Sequence, residues 1–385
     1  MSSKKHIFVL AGEASGDALG GPLLQALLQK TGGHVRFSGV GGELMQQAGL
    51  ESLYPMSDLS VMGFFEVFKH LPRLLSRLRQ TRKYILKEQP DVVVTIDLPD
   101  FSFRLAKQLR GSGIPYIHYP PPTVWAWRPK RAKKIAPVLD HLLAILPFEP
   151  PYFEKEGLPT TFVGHYVVEA GIDTIDRQKF RDDHEIAKET LLLCLLPGSR
   201  QREIDTLLPI FKQAVAKLRL RYPDLKIVIP TTTALKEQVS QAVDSWSAPS
   251  FVVTGAHEKY AAMRASNVAL AASGTVNLEL AMARTPFVIA YQVNRLTGWL
   301  ARKILNVRYV AMVNIMHDRL VVPELLQEKC EPNTMVQELD KLLSSARARQ
   351  QQIEAFEDVC KQLQVKDVKP SEKAAEVVLR LMALT

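Results

Sequence analysis

The sequence predicts an α/β protein made of two consecutive doubly wound, Rossmann-like halves facing a central cleft, with a run of helices at its C-terminal end. Three observations carry that expectation. Short β-branched runs ending in Gly, Asp or Pro alternate with helical patterns, which is the rhythm of βα units on a parallel sheet. The rhythm halts in a polar stretch near residues 173–189 and then restarts. With 385 residues, 46% of them hydrophobic and 23% charged, the chain can bury two or three cores of about 150 residues each. The expected division is 1–172, 173–345 and a helical end, 346–385, that packs back on an N-terminal domain.

The first strand is HIFVLAG, residues 6–12, and the loop after it reads GEASGD. Glycines between a strand and a helix suit a phosphate, yet Glu13 and Asp17 would repel one, although both suit the dipole of the helix they open. GGPLLQALLQK is that helix, and VRFSGVGG is the second strand. SVMGFFEVFKHL, residues 60–71, is apolar around Met62, Phe64, Phe65 and Phe68, then runs into a helix bearing Arg73, Arg77, Arg79, Arg82, Lys83 and Lys87. An interfacial membrane segment and a core helix with a solvated basic face both fit this pattern.

DVVVTIDLPD places Asp97 at the tip of an apolar strand, where a carboxylate serves as a general base or as a turn residue. Asp100, beyond Pro99, is placed to cap the helix FSFRLAKQLRG. IPYIHYP is the next strand, and its His118 either orients a substrate phosphate or packs. YPPPTVWAWRPKRAKK then joins Trp125 and Trp127 to Arg128, Lys130, Arg131, Lys133 and Lys134. Aromatics among cations stack bases, wrap sugars or sit at a membrane interface. HLLAILPFEPPYF and a Gly-His corner in FVGHYVVEA close this half.

The second half opens with TLLLCLLPGSRQREI, in which Gly198 and Ser199 form a strand-to-helix turn and Arg200 and Arg202 bring forked cationic donors. LKIVIPT, SFVVTG, NVALAASGT and PFVIAYQV are four further strands. Ser273, Gly274 and Thr275 stand at the end of one of them, with Glu279 a helical turn on, a pairing suited to a diphosphate and a ribose diol. The last segments, ARARQQQIEAFEDVCKQL and EKAAEVVLRLMAL, read as helices.

Several classes are disfavoured. Cys194, Cys330 and Cys360 lie far apart with no C-x-x-C pair, so neither a disulfide framework nor a structural zinc site is expected. No run reaches the roughly 18 apolar residues of a spanning helix. No Walker A, G-x-S-x-G or H-E-x-x-H pattern occurs. The formal net charge of +9 favours an acidic partner, such as nucleic acid, anionic lipid or a phosphorylated substrate.

Taken in order, AGEASGD, VMGFFEV, PDVVVTIDLPDF, VWAWRPKRAKKI, LPFE, FVGH, LLPGSRQREI, ASGT with Glu279, and ELLQEKCEP resemble the lipid-A-disaccharide synthase family across nearly the whole chain. The resemblance implies an inverting glycosyltransferase of GT-B type. Such an enzyme joins UDP-2,3-diacylglucosamine to 2,3-diacylglucosamine 1-phosphate (lipid X), giving the β-1,6 disaccharide precursor of lipid A and UDP. It assigns Asp97 as the base, and Glu13, Ser15, Gly16, Asp17, Met62, His118, Trp125, Trp127 and Arg128 to the acceptor sugar cleft. UDP falls to Gly198, Ser199, Arg200, Ser273, Gly274, Thr275, Glu279 and Asn314, with no metal or other cofactor. A homodimer exchanging C-terminal helices, a cytoplasmic location and peripheral contact with anionic inner-membrane lipid are implied as well. The rival readings are another UDP-sugar enzyme on this fold, such as a UDP-N-acetylglucosamine 2-epimerase, and a basic nucleic-acid-binding protein.

Overall fold

The computed structural model describes residues 4–60, 64–294, 298 and 307–383, and the chain divides into two compact units. Unit 1 is Met1–Tyr166 with Leu363–Thr385, and unit 2 is Val167–Gln362.

Unit 1 holds the strands β1 (Lys5–Ala11), β2 (Val35–Val40), β3 (Leu50–Ser52), β4 (Val92–Ile96), β5 (Tyr116–Tyr119), β6 (His141–Ala144) and β7 (Thr160–Phe162). They form one sheet in the order β3-β2-β1-β4-β5-β6-β7, every neighbouring pair parallel. Between them run α1 (Ala14–Lys30), α2 (Glu43–Gln47), α3 (Phe64–Glu88), α4 (Pro99–Leu109), α5 (Val124–Trp127), α6 (Arg131–Ile135) and α7 (Pro150–Glu154). Helices cover both faces, which is why the strands read as continuous apolar runs instead of alternating. Ile7, Val9 and Ala11 of β1 enter one core with Leu23, Leu24 and Leu27 of α1. Phe8 and Leu10, on the opposite face of the same strand, enter another with Ile85 of α3 and Leu105 and Leu109 of α4. Each such buried side chain contributes roughly 1.5–3 kcal/mol of transfer free energy.

Unit 2 repeats the plan with β8 (Leu192–Leu196), β9 (Lys226–Thr231), β10 (Ser250–Thr254), β11 (Val268–Ala271), β12 (Phe287–Tyr291) and β13 (Glu324–Leu326). Their order is β10-β9-β8-β11-β12-β13, again parallel throughout. Its helices are α8 (Arg177–Asp183), α9 (Gln201–Arg219), α10 (Lys236–Val243), α11 (Ala256–Ala265), α12 (Val276–Met282), α13 (Met312–His317), α14 (Pro332–Ser344) and α15 (Ala346–Gln362). Leu193, Leu195 and Ile227 of the sheet pack with Leu207, Phe211 and Val215 of α9 and with Met335 and Leu339 of α14. The polar stretch near residues 173–189 is structured: Asp176 caps α8 by accepting from the N–H groups of Gln178 at 2.8 Å and Lys179 at 3.3 Å. Within it the buried Arg181 donates to the carbonyls of Ala265 at 2.7 Å and Ala187 at 2.8 Å, tying the segment to unit 2.

The C-terminal helices part company. α15 stays with unit 2, where the Phe356 ring lies 5.3 Å from that of Phe287 and Gln352 brackets the Phe287 backbone through its N–H at 2.9 Å and its carbonyl at 3.3 Å. Only the last helix, α16 (Pro370–Ala383), returns to unit 1, placing Ala374, Ala375, Val377, Val378 and Met382 in the core formed by β1 and α1. The sequence-based expectation of one helical end from residue 346 is corrected by this split, whose cause is the apolar stripe of α15 facing β12. No helix among the described residues is long and apolar enough to cross a membrane.

Candidate active site

Each sheet reverses its winding once, between β1 and β4 in unit 1 and between β8 and β11 in unit 2. The loops leaving two such adjacent strands turn to opposite faces of the sheet and open a crevice at the strand ends, where doubly wound proteins bind ligands. All the predicted residues that converge do so at these two points.

In unit 1 the register pairs Ala11 with Ile96, so the β1 and β4 loops start side by side. Ser15 Oγ donates to Asp97 Oδ2 at 2.6 Å, and the Asp97 N–H donates to the Tyr119 carbonyl at 2.9 Å. Asp97 has φ +54 and Leu98 φ +49, a left-handed pair of which the leucine is the more strained, since a bulky side chain rarely adopts it. Gly16 permits the approach: a Cβ there would lie 3.3 Å from the Ile96 carbonyl oxygen and 3.1 Å from Ala11 Cβ. Burial pushes the Asp97 carboxyl above its ordinary value, and the Ser15 hydrogen bond offsets part of that rise. Asp97 is therefore a stronger base than a solvated carboxylate.

The acidic pair of the first loop separates. Glu13 is exposed, whereas Asp17 is buried and accepts from the N–H groups of Gly42 at 2.9 Å, Leu44 at 3.0 Å and Met45 at 3.1 Å. Asp17 thus brackets the start of α2. His118 also faces inward. It is buried, its Nδ1 lies 2.9 Å from Thr95 Oγ1 and its ring 4.7 Å from that of Phe103, and burial pushes its pKa down to about 3. Asp100 does not cap α4; it sits on the surface paired with Arg131 at 2.7 Å.

Trp125 is half-buried against Phe148, and its Nε1 donates to Glu149 Oε1 at 3.3 Å. Glu149, which sequence reasoning missed, also accepts from the N–H groups of Ile145 at 3.2 Å and Leu146 at 3.0 Å, and burial pushes its carboxyl up to about 7. Its only sequence signal was the LPFE string. Trp127 is exposed, with the Arg128 guanidinium 4.0 Å above its ring. Met62 lies outside the described residues.

In unit 2 seven of the expected residues, Gly198, Ser199, Arg200, Ser273, Gly274, Thr275 and Glu279, line one cavity of about 690 Å³. That size is within the range of small-ligand sites. Gly198 has φ +118, and a Cβ there would lie 2.6 Å from Glu203 Cβ. The glycine makes room for Glu203, whose Oε2 accepts from the N–H groups of Ser199 at 3.0 Å and Arg200 at 3.3 Å. The loop amides expected to cradle a diphosphate are thus occupied by a carboxylate from the third residue of α9. Cationic charge in the cavity comes from Arg200 and from Lys259, which the sequence reading missed. Lys259 Nζ lies 2.8 Å from both oxygens of Glu279. The Thr231 hydroxyl, on the same wall, is buried without a hydrogen-bond partner among the described residues, so a ligand oxygen or water would satisfy it.

Asn314 does not join this cavity. It is fully buried, its amide donates at 2.8 Å to the Val322 carbonyl and to Glu324 Oε1, and its oxygen accepts from the N–H groups of Val321 at 2.8 Å and Val322 at 2.9 Å. All four of its hydrogen-bonding sites are spent on the loop before β13, which makes it structural.

Comparison with known proteins gives this geometry a family. A profile described as lipid-A-disaccharide synthetase matches residues 7–378. The lipid-A-disaccharide synthase of Rhodospirillum centenum is 52% identical over 378 residues, 98% of this chain and 94% of the relative. That of Paramagnetospirillum magneticum is 45% identical over 377 residues, 97% and 96% of the two chains. Among solved structures, an S. aureus MnaA–UDP co-structure aligns with a TM-score of 0.63 at 15% identity over 97% of this chain and 95% of that one. Acinetobacter baumannii MurG aligns with a TM-score of 0.61 at 14% identity over 98% and 99%. Likeness at such low identity bears on the fold alone, and it is the GT-B arrangement of glycosyltransferases and epimerases. The profile match and the near-full-length relatives decide the family: this chain belongs to the lipid-A-disaccharide synthases.

Proposed function

We propose that the chain carries out the glycosyl transfer of its family as a single inverting displacement, with Asp97 as the base and the unit 2 cavity as the UDP site. The convergence of Gly198–Arg200 and Ser273–Glu279 on one cavity carries the donor assignment. The Ser15–Asp97 contact at the other switch point supports the base.

In this reading the acceptor is 2,3-diacylglucosamine 1-phosphate, and its 6-hydroxyl attacks C1 of UDP-2,3-diacylglucosamine. The C1–O bond to UDP breaks with its electron pair leaving on the diphosphate, and Asp97 takes the hydroxyl proton. Because the Ser199 and Arg200 amides already serve Glu203, the charge growing on UDP is met by side chains: the Arg200 guanidinium and the Ser273 and Thr275 hydroxyls. Glu279 takes the ribose, and Trp125, Trp127 and Arg128 belong to the acceptor side. A homodimer and peripheral attachment to the cytoplasmic face of the inner membrane form part of the same proposal. The exposed face of α3 with Arg79, Arg82 and Lys83, and the exposed Trp127–Arg128 pair, favour the attachment.

The test is to supply both acylated sugars in detergent micelles and follow disaccharide and UDP by mass spectrometry. Stoichiometric disaccharide and UDP are expected from the wild type, and a rate lower by on the order of 10²-fold or more from Asp97→Asn. Near-normal turnover by that variant would remove Asp97 as the base, whereas a wild type yielding neither disaccharide nor UDP would overturn the activity itself.

A further inference from the structure

Lys259 occupies an uncomfortable place. It lies in the first turn of α11, where the helix dipole disfavours a cation, and its N–H is committed to the Gly255 carbonyl at 3.0 Å. What offsets that placement is Glu279 on the neighbouring α12. The ammonium is 2.8 Å from both carboxylate oxygens, so it straddles the fork and fixes the plane of the group. The Tyr260 hydroxyl donates to Oε1 at 3.3 Å, a longer bond on the outer side. Glu279 is only 13% exposed and Lys259 31%, so the pair belongs to the cavity wall and not to open surface. A carboxylate offers about four lone-pair sites; an ammonium across the fork uses the inner ones and leaves the outer ones to other donors. Without that ammonium the terminal torsion of a glutamate is broad, and fixing it again costs entropy when a ligand binds.

We propose that Lys259 is the positioning residue that turns Glu279 into a detector of ribose, holding the carboxylate so that the outer lone pair of Oε2, the one that Lys259 and Tyr260 leave open, meets the ribose 2′-hydroxyl and the cavity selects ribonucleotides over 2′-deoxyribonucleotides. The proposal rests on the reading of this cavity as the UDP site. A 2′-deoxy ligand leaves one outer lone pair facing the cavity without a donor, and a polar group desolvated and unpaired is the costly outcome. Lys259 touches neither the reacting carbon nor the leaving oxygen in this scheme; it acts through Glu279.

Calorimetric titration of UDP and 2′-deoxy-UDP into the full-length protein tests it. The wild type is expected to prefer UDP by about tenfold or more, equivalent to about 1.4 kcal/mol. Lys259→Met should lower UDP affinity by several-fold more than that of 2′-deoxy-UDP, so that the preference collapses. Lys259→Arg, which restores a cation, should recover most of it, and adding Glu279→Gln to Lys259→Met should reduce the preference no further. Equal loss of both nucleotides in Lys259→Met would assign the lysine to phosphate charge and overturn the proposal, as would an unchanged preference. A wild type that binds neither nucleotide sinks the UDP reading and this inference together, a failure seen before any variant is titrated.

Discussion

At Asp97 a strained backbone and a buried carboxyl coincide, and each has a consequence for pH. Its pKa is raised in the folded protein, so the native state holds that proton more tightly than the unfolded chain does. Stability from this group is therefore greatest at low pH and declines as pH climbs from the unfolded value of 3.8 through the raised native one. Catalysis runs the other way, because only the ionised form accepts a proton. The acid limb of kcat/KM is expected above the ordinary carboxylate range, and Ser15→Ala, which removes the bond holding the pKa down, should move that limb to higher pH. It should also cost on the order of fivefold in rate at neutral pH, from about 1 kcal/mol of hydrogen bond. A pH–rate profile that does not move would show that Ser15 does not govern Asp97. Glu149 carries the same sign: its carboxyl, pushed up to about 7, favours the native state most below the unfolded 4.5 and loses that advantage as pH rises to about 7.

The elements explain which of these residues could be read in advance. Strand ends at a winding reversal follow from the order of βα units, so Asp97, Gly198–Arg200 and Ser273–Glu279 were legible from the pattern of apolar runs and small residues. Which side of a helix start faces inward was not. Glu13 and Asp17 are chemically similar, yet only the latter reaches the α2 amides, because α2 is brought over α1 by tertiary packing. Lys259 and Glu149 were invisible for a related reason: each acts on a partner 20 or 24 residues away, with no motif linking the two. Asn314 shows the converse, a residue assigned by resemblance whose local loop consumes it. At the turn into α9, Gly198→Ala should both strain a φ of +118 and drive Glu203 off the loop amides. The expected loss is about 2–3 kcal/mol of stability, from the backbone conformation and the cap, with weaker UDP binding. Unchanged melting temperature and UDP affinity would refute the packing argument.

For the whole molecule, the net charge of +9 is not spread evenly in its use. Arg73 and Arg77 of α3 are drawn to Asp58, at 3.8 Å and 2.9 Å, and Arg131 to Asp100. Arg79, Arg82, Lys83, Lys130, Lys133 and Lys134 remain exposed. Each basic side chain near an anionic bilayer contributes about 1 kcal/mol, screened by salt. Flotation with vesicles containing anionic lipid should carry the protein at low ionic strength and release it at high, and replacing Arg79, Arg82 and Lys83 by glutamine should weaken capture severalfold. Equal flotation with purely zwitterionic vesicles would rule out charge as the anchor.

The return of α16 to unit 1 bears on how the chain is made. The core between β1 and α1 includes Val377, Val378 and Met382, so the half that begins the polypeptide stays incomplete until residues synthesised more than 300 positions later have emerged. Unit 2 ends at Gln362, before α16 begins. On the ribosome the second half is thus able to close first, while the nascent first half waits with an open apolar groove beside α1, a window in which a chaperone has something to hold.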